Sequence, residues 1–417
     1  MKCIGETHKM RLRRAQARCA PGCSEALCTA RHAPKEPSSM VRILSLLCLV
    51  SILFGLAACG GPSFKGDVTV YVAAPLSGWQ AEGGQTVAGG VRLAAERINR
   101  AGGLLGYRVN VVALDDEADS DVAATVARQV AEAVGRERVV GVIGHYNSDQ
   151  TAAGLEVYKD LPIVVITPTA TDPSLSAHGY RNFFRVNATD AAQAPADAEF
   201  LVRDLGARRI AVVYANNGYG RGLHQEMVSA LKALGAEATV EIEIPEGAPS
   251  QKPAVDRIAA AKPDAVFLAG YETEGYVLLP ELREAGLTMP FMASDGCFLY
   301  EFVDGSGTAA EGAYVSGVTP DSRAVADEQW WKDYQAVEKR NPGTYSVAGY
   351  AAMTVLAQGV ERAKSLDGNR VAQALHEIHY SSLVGPIAYD ERGDLKQQNI
   401  FIFQVQKGQF VQIKPKP

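Results

Sequence analysis

The stretch VTVYVAA (68–74), VAGGVRLAAERINR (87–100), YRVNVVAL (107–114) decides the fold of this 417-residue chain. Two runs of β-branched and apolar residues flank one amphipathic, Ala-rich segment, the pattern of strand, helix, strand. The unit recurs downstream. DVAATVARQVAEAV (121–134) reads as a helix, VVGVIG (139–144) as a strand, SDQTAAGLEVYKD (148–160) as a helix and PIVVITP (162–168) as a strand. A second block follows: RRIAVVYA (208–215), a helix through Leu234, ATVEIEI (238–244), a helix near 250–261 and DAVFLAG (264–270). Strands that are apolar along their whole length are buried on both faces, as in parallel sheets covered by helices. Two such blocks predict an α/β protein of two Rossmann-like lobes with parallel sheets. FFRVNATDAAQAP (183–195) lies between the blocks and is the first candidate crossover. Ligands of open parallel sheets bind beyond the carboxyl ends of the strands, so the loops after the strands are the place to look.

Ahead of the first block, VRILSLLCLVSILFGLAAC (41–59) places Arg42 before an unbroken apolar run from Ile43 to Ala58. The run falls short of the roughly 20 residues that span a bilayer. A positive flank, a short apolar core and small residues before Cys59 are the layout of an export signal. An ordinary signal peptide or a membrane anchor is the competing reading. Residues 1–39, rich in Arg and Cys, read either as a start placed too far upstream of Met40 or as a genuine extension. Residues 1–58 carry nine Lys/Arg against three Asp/Glu, so the rest of this chain of net charge −6 carries −12. An acidic body argues against a nucleic-acid partner, whose phosphates need a basic footprint. Cys297 is the one cysteine beyond Cys59, so no internal disulfide forms in the body. No Cys/His spacing suggests a metal, and no cofactor is expected. A body of about 350 residues exceeds the size at which one core usually divides.

The loops carry an ordered series of motifs. PLSGWQAEGGQTVAGGVRLAAERINRAGGLLGYRVNVVALDDEAD (75–119), VIGHYNSDQT (142–151) and ITPTATDPSLS (166–176) come first. YANNGYGRG (214–222), LAGYETEG (268–275), MASDG (292–296) and GPIAYDERGD (385–394) follow. In order and spacing this set resembles the substrate-binding proteins of branched-chain amino acid ABC transporters, over about residues 67–406. It also resembles the wider type I periplasmic-binding-protein group, which includes binders of amides, urea and aromatic acids. Leu56-Ala57-Ala58-Cys59 resembles a bacterial lipobox, which implies a lipid on Cys59. The resemblance implies two lobes joined by three crossover segments that close over a ligand. It assigns 40–58 to a lipoprotein signal peptide and 59–66 to a linker. Lobe 1 then holds 67–189 and 319–393, and lobe 2 holds 190–318 and 394–417. It further implies a monomeric binding protein with no enzymatic activity, tethered by lipid on the extracytoplasmic face of a membrane. Its partners would be an amino acid, branched-chain or otherwise apolar, and ABC permease subunits.

On that pattern Ser148 binds the ligand's α-carboxylate. Its hydroxyl and the free N–H groups of the helix it opens suit an anion, although Ser is also an ordinary N-cap. Thr169 and Thr171, between Pro168 and Pro173, offer backbone groups and a hydroxyl to both ends of an α-amino acid, with the Thr169 side chain of little account. Turn-forming polar residues are the alternative. Asp295 pairs with the α-ammonium from the second lobe, one methylene shorter than the Glu common in the family. Otherwise it is a solvated turn residue before Gly296. Tyr219 and Tyr271 flank the ligand's side chain, and Trp79, Tyr146 and Tyr345 fall near the cleft. The family commonly has an aromatic where this chain has Gly83, and Trp79 is the candidate to fill that space. Each aromatic reads equally well as core. Together they imply an aromatic, fairly apolar pocket for leucine-like or aromatic side chains.

Two other classes compete. Gly218-Tyr219-Gly220-Arg221-Gly222 opens a helix after a strand, with Glu241 or Glu243 about 20 residues on, the context of a dinucleotide fingerprint. Its spacing is G-x-G-x-G, however, and Tyr214 to Asn217 stand between the strand and the first glycine. None of His145, His178, His224, His376 and His379 neighbours a G-x-S-x-G elbow. A ligand-sensing receptor subunit shares fold and site with a transport protein and stays open as a third reading.

Overall fold

The structure is a computed structural model and describes residues 63–415; the signal-like segment and Cys59 lie outside the described residues. The first lobe opens with β1 (Asp67–Ala74), α1 (Ala81–Arg100), β2 (Arg108–Asp115), α2 (Ser120–Val134) and β3 (Val139–Gly144). It continues through α3 (Ser148–Tyr158), β4 (Val164–Thr167) and β5 (Phe183–Arg185). Its sheet runs β2-β1-β3-β4-β5, with every pairing parallel. Both faces are covered: Val70 and Ile143 pack into one apolar core, Val142 and Val165 into another. Helix α1 begins at Ala81 rather than near 87, because Gly83 and Gly84, which read as loop, lie inside it. A Cβ on Gly84 would stand 1.9 Å from the Pro75 carbonyl oxygen, so the helix meets the first loop only without a side chain there.

Segment 186–189 leads into α4 (Asp190–Glu199), β6 (Arg209–Ala215), α5 (Gly218–Ala233), β7 (Glu237–Ile244) and α6 (Lys252–Ala261). Then come β8 (Ala265–Ala269), α7 (Glu272–Glu284), β9 (Phe291–Ala293), α8 (Tyr300–Ser306) and β10 (Tyr314–Gly317). The chain next returns to the first lobe. Helices α9 (Glu328–Glu338), α10 (Ser346–Ala363) and α11 (Gly368–Leu375) contribute Tyr334, Leu356 and Val371 to its core. A hairpin, β11 (Tyr380–Ser382) with β12 (Gly385–Ile387), ends that visit. A third passage brings β13 (Phe401–Gln406) and β14 (Gln409–Lys414) to the second sheet, whose order is β14-β13-β10-β9-β8-β6-β7. Strands β6 to β10 pair in parallel, whereas β13 runs antiparallel to both β10 and β14. The expectation of parallel sheets therefore holds for twelve less two strands of the two large sheets and stops at the C-terminal pair. The tight turn at Lys407-Gly408 explains β14: strands joined so closely can only be antiparallel.

Three passages between two sheets leave a cleft edged by the carboxyl ends of β1, β3, β4, β6, β8 and β9. Arg185, at the end of β5, braces one side of it. Its wholly buried guanidinium donates to Asp394 Oδ1 at 2.6 Å, to the Ala170 carbonyl at 2.8 Å and to the Asp172 carbonyl at 2.7 Å. A buried ion pair of this kind stabilises only when its remaining donors are also satisfied, and here the loop carbonyls do that. Among the described residues, no helix is long and apolar enough to cross a membrane.

Candidate ligand-binding cleft

Three loops from the first lobe reach the cleft. After β3, Asn147 is the N-cap of α3 and Ser148 is its first residue. Ser148 Oγ accepts from the backbone N–H of Thr171 at 3.3 Å and of Asp172 at 3.2 Å, which joins the loop after β3 to the loop after β4. Ser148 is therefore more than a cap: its acceptor lone pairs hold the neighbouring loop, and its hydroxyl proton is free to donate to an anion. Thr169 departs from expectation. Its hydroxyl donates to the Tyr146 carbonyl at 2.5 Å, so the side chain has a structural role of its own. The Thr171 carbonyl accepts from the Asp190 N–H at 3.0 Å, which ties this loop to the first crossover.

The second lobe brings a carboxylate and two tyrosines. Asp295 starts a short 3-10 turn after β9 and is buried, which excludes the solvated-turn reading. Tyr219 Oη lies 2.6 Å from Asp295 Oδ1 and 2.8 Å from Ser294 Oγ. Burial pushes the Asp295 carboxyl up to about 6, against the pull of Tyr219 and Gln193. Burial also holds the phenols of Tyr146, Tyr219, Tyr271 and Tyr345 well above their usual range, so all four act as neutral hydrogen-bond donors.

The lobes touch at the cleft. Tyr345 Oη, from the N-terminus of α10, donates to the Asp295 carbonyl at 2.7 Å. Gly218 N–H, at the N-terminus of α5, donates to Asp149 Oδ2 at 3.0 Å. A Cβ at Gly218 would stand 2.0 Å from Asp149 Oδ1, so this approach requires glycine. Trp79 meets Tyr271 edge to face at 5.6 Å, and Tyr219 stacks on Tyr271 at 5.1 Å.

Eight of the nine residues expected at the site line one cavity: Tyr146, Ser148, Thr169, Thr171, Tyr219, Tyr271, Asp295 and Tyr345. The space left among them is small, about enough for one water molecule. Trp79 is the exception. It is 40% exposed and covers Tyr271 from outside. Nor does it replace the aromatic missing at Gly83, because a Cβ there would lie 2.3 Å from Tyr146 Oη. Tyr146 occupies that corner, and glycine at 83 makes room for it.

Other features fall into place around this cavity. A neighbouring hollow that shares Asn147 and Tyr271 with it carries Asp119, Asp121, Asp149 and Glu246, an acidic rim. A wider hollow lies elsewhere, on the outer face of the first lobe among Glu156, Arg181, His376 and Tyr389, away from the strand ends that gather the loops. The glycine-rich turn at 218–222 does not present a free helix N-terminus to a phosphate. Asp149 occupies the Gly218 N–H, and the Asn217 side chain occupies that of Gly220. Glu243 and Glu241 are engaged by Arg221 and His224, which removes the acid a ribose would need. His145 is buried between Asp116, at 2.7 Å, and Tyr158 and does not line the cavity.

Reading the sequence missed Arg185 and three residues of α4. Asp190, Gln193 and Asp197 are wholly buried at spacing i, i+3, i+7, hence on one face of the helix. That spacing is visible in DAAQAPADAE, a stretch the sequence offers only as part of a candidate crossover, and polar residues at helical spacing ordinarily face solvent.

The chain is similar to known proteins over most of its length. A family model described as periplasmic binding protein matches residues 67–409. The Leu/Ile/Val-binding protein of Escherichia coli K12 is 30% identical over 353 residues, covering 84% of this chain and 95% of that one. A solved leucine-binding protein from Thermotoga maritima superposes with a TM-score of 0.76 at 25% identity, covering 83% of this chain and 97% of the other. An ABC transporter substrate-binding protein from Desulfitobacterium hafniense, solved in complex with Leu, gives 0.69 at 26% identity, covering 83% and 100%. The chain belongs to the periplasmic binding protein family.

Proposed function

We propose that the protein captures an amino acid with a branched-chain or other apolar side chain in the interlobe cleft and delivers it to an ABC importer. One observation carries this reading. Anion-seeking groups at Ser148 and Thr171 on one lobe face a carboxylate, Asp295, on the other, across a cavity walled by four tyrosines. That polarity suits the two charged ends of an α-amino acid, and the tyrosine faces suit an apolar side chain admitted when the lobes part. The relatives named for leucine, isoleucine and valine support the same choice.

Binding on this account needs no covalent step and no enzymatic activity. The ligand's carboxylate docks at Ser148, Thr169 and Thr171. The second lobe then brings Asp295, Tyr219 and Tyr271 onto the ammonium and side chain. A ligand shifts this equilibrium only by contacts the open form lacks, and Asp295 supplies the strongest of them. The lobes in this account are 67–189 with 319–393 and 190–318 with 394–417. The protein acts as a monomer outside the cytoplasm, held to a membrane by a lipid on Cys59, and presents its loaded form to permease subunits.

A thermal-shift screen against the common amino acids, short amides, urea, aromatic acids and NAD tests the ligand, since binding to the folded state raises the melting temperature. Stabilisation by leucine, isoleucine, valine or phenylalanine is expected. A response confined to amides or aromatic acids contradicts the amino-acid reading, and a response to NAD alone contradicts the transport role. Cys59→Ser is expected to release the protein from the membrane fraction; retention there contradicts lipid anchoring.

A further inference from the structure

Behind Asp295 the second lobe buries more negative charge than a single ammonium contact requires. Asp190 is wholly buried and forms no ion pair among the described residues; the Thr171 hydroxyl is the one side-chain donor beside its carboxyl. Asp197, about two turns further along α4, accepts from Ser316 Oγ at 2.8 Å through Oδ2. Gln193 lies between them, donating to the same Ser316 Oγ at 2.9 Å and standing beside Asp295. The result is a buried set of three carboxyls: Gln193 and Ser316 bridge Asp295 to Asp197, and Asp190 stands beside Thr171 of the cavity wall.

The charges that face this set do not balance it. Arg185 is the cation nearest Asp190, but its donors are taken by Asp394 and by the Ala170 and Asp172 carbonyls. Asp172 faces Asp190 with a further negative charge, and the Thr171 hydroxyl only partly offsets it. On the remaining sides stand Tyr219 and Tyr345, both neutral phenols, and Glu272, a buried acid beyond Tyr345. Burial and mutual repulsion hold Asp190 and Asp197 well above the ordinary carboxyl range. Three carboxyls in one dry region cannot all ionise without a cation, so the ligand-free cluster keeps protons.

We propose that the ligand's ammonium is recognised by this carboxyl cluster rather than by Asp295 alone, and that its arrival expels a proton from the cluster to solvent. The inference rests on the amino-acid reading above and sharpens it. The pocket selects a ligand bearing a cation, disfavours neutral amides and aromatic anions, and binds it with proton release. The acidic rim of Asp119, Asp121, Asp149 and Glu246 acts in the same direction by drawing cations toward the cavity. In this scheme Asp190 and Asp197 are positioning residues that set the charge state Asp295 presents.

Calorimetric titration with leucine near pH 6, in phosphate, MES and imidazole buffers, reads the proton directly, because the buffer's heat of protonation adds to the signal. A buffer-dependent heat showing release is expected, with affinity rising by up to about tenfold per pH unit between pH 5 and 7. Asp190→Asn and Asp197→Asn are each expected to reduce the released fraction, a readout that a merely structural role would not move. If those variants do not fold, the pH dependence in the unaltered protein still decides. 4-Methylpentanoate, which is leucine without its ammonium, is expected to bind more weakly and release no proton. Leucine binding with a buffer-independent heat overturns this inference and leaves the amino-acid reading standing. Failure of leucine, isoleucine, valine and phenylalanine alike to bind overturns both.

Discussion

The two walls of the cleft are built on opposite principles. The first-lobe wall is satisfied by its own protein: Ser148 holds two N–H groups of the facing loop, Thr169 holds the Tyr146 carbonyl, and Arg185 clamps the loop from behind. The second-lobe wall is left short of positive charge, with Asp295 raised to about 6 and Asp190 buried without an ion pair among the described residues. A preformed wall receives a ligand without reorganising, whereas an unbalanced wall gains most when a cation reaches it. The difference assigns the roles: the first lobe docks, and the second closes because of what it has docked.

Removing the clamp is the most severe way to break this contrast. Arg185→Met strands Asp394 as an unpaired buried charge and frees the 170–172 loop. Urea denaturation is expected to show a loss of about 3–5 kcal/mol. Retention of native stability would show that the first wall does not need its brace. Asp295→Asn attacks the other wall. It keeps the shape and removes the charge, so affinity for the amino acid is expected to fall about thirtyfold or more by calorimetry, from the ~2 kcal/mol or more that a buried charged contact carries.

The same residue predicts a pH signature without ligand. Because folding raises the Asp295 carboxyl to about 6, its relative contribution to stability is full below the unfolded value and is lost as pH rises through 6. The difference in unfolding free energy between the native protein and Asp295→Asn is therefore expected to change by about 2 kcal/mol between pH 4 and 7.5. A flat difference contradicts the raised carboxyl. Ser148→Ala is expected to cost about tenfold in affinity, from one lost hydrogen bond to a charged ligand group, and about 1–3 kcal/mol in stability, because the Thr171 and Asp172 N–H groups lose their acceptor.

Much of the first wall was legible in the sequence, and little of the second. Ser148, Thr169 and Thr171 follow apolar strands directly, and a strand end followed by a hydroxyl and a helix start is a local pattern. The Thr169 hydroxyl bond was not legible, because it depends on which carbonyl the folded loop after β3 presents. Asp295 was legible through MASDG, but its burial was not. Helix α4 was the least legible, offered by the sequence only as part of a candidate crossover. In DAAQAPADAE the exposed positions are Ala191, Pro195 and Glu199, while Asp190, Gln193 and Asp197 turn inward. Hydrophobic periodicity assigns polar faces to solvent, and a buried carboxyl cluster reverses that rule. Gly83 and Gly84 misled in a smaller way, since glycine reads as loop whereas here it allows close helix packing. The antiparallel C-terminal pair escaped because it depends on the long return through 388–400, which carries no periodic signal.

The most direct test of the two-walled account is to titrate the protein with leucine and with two analogues that each lack one charged end, 4-methylpentanoate and isopentylamine. If both walls act, leucine binds and each analogue loses at least about tenfold in affinity, the carboxylate-only compound losing more. Equal binding of 4-methylpentanoate and leucine would contradict the account, because the charged second wall would then have no part in recognition.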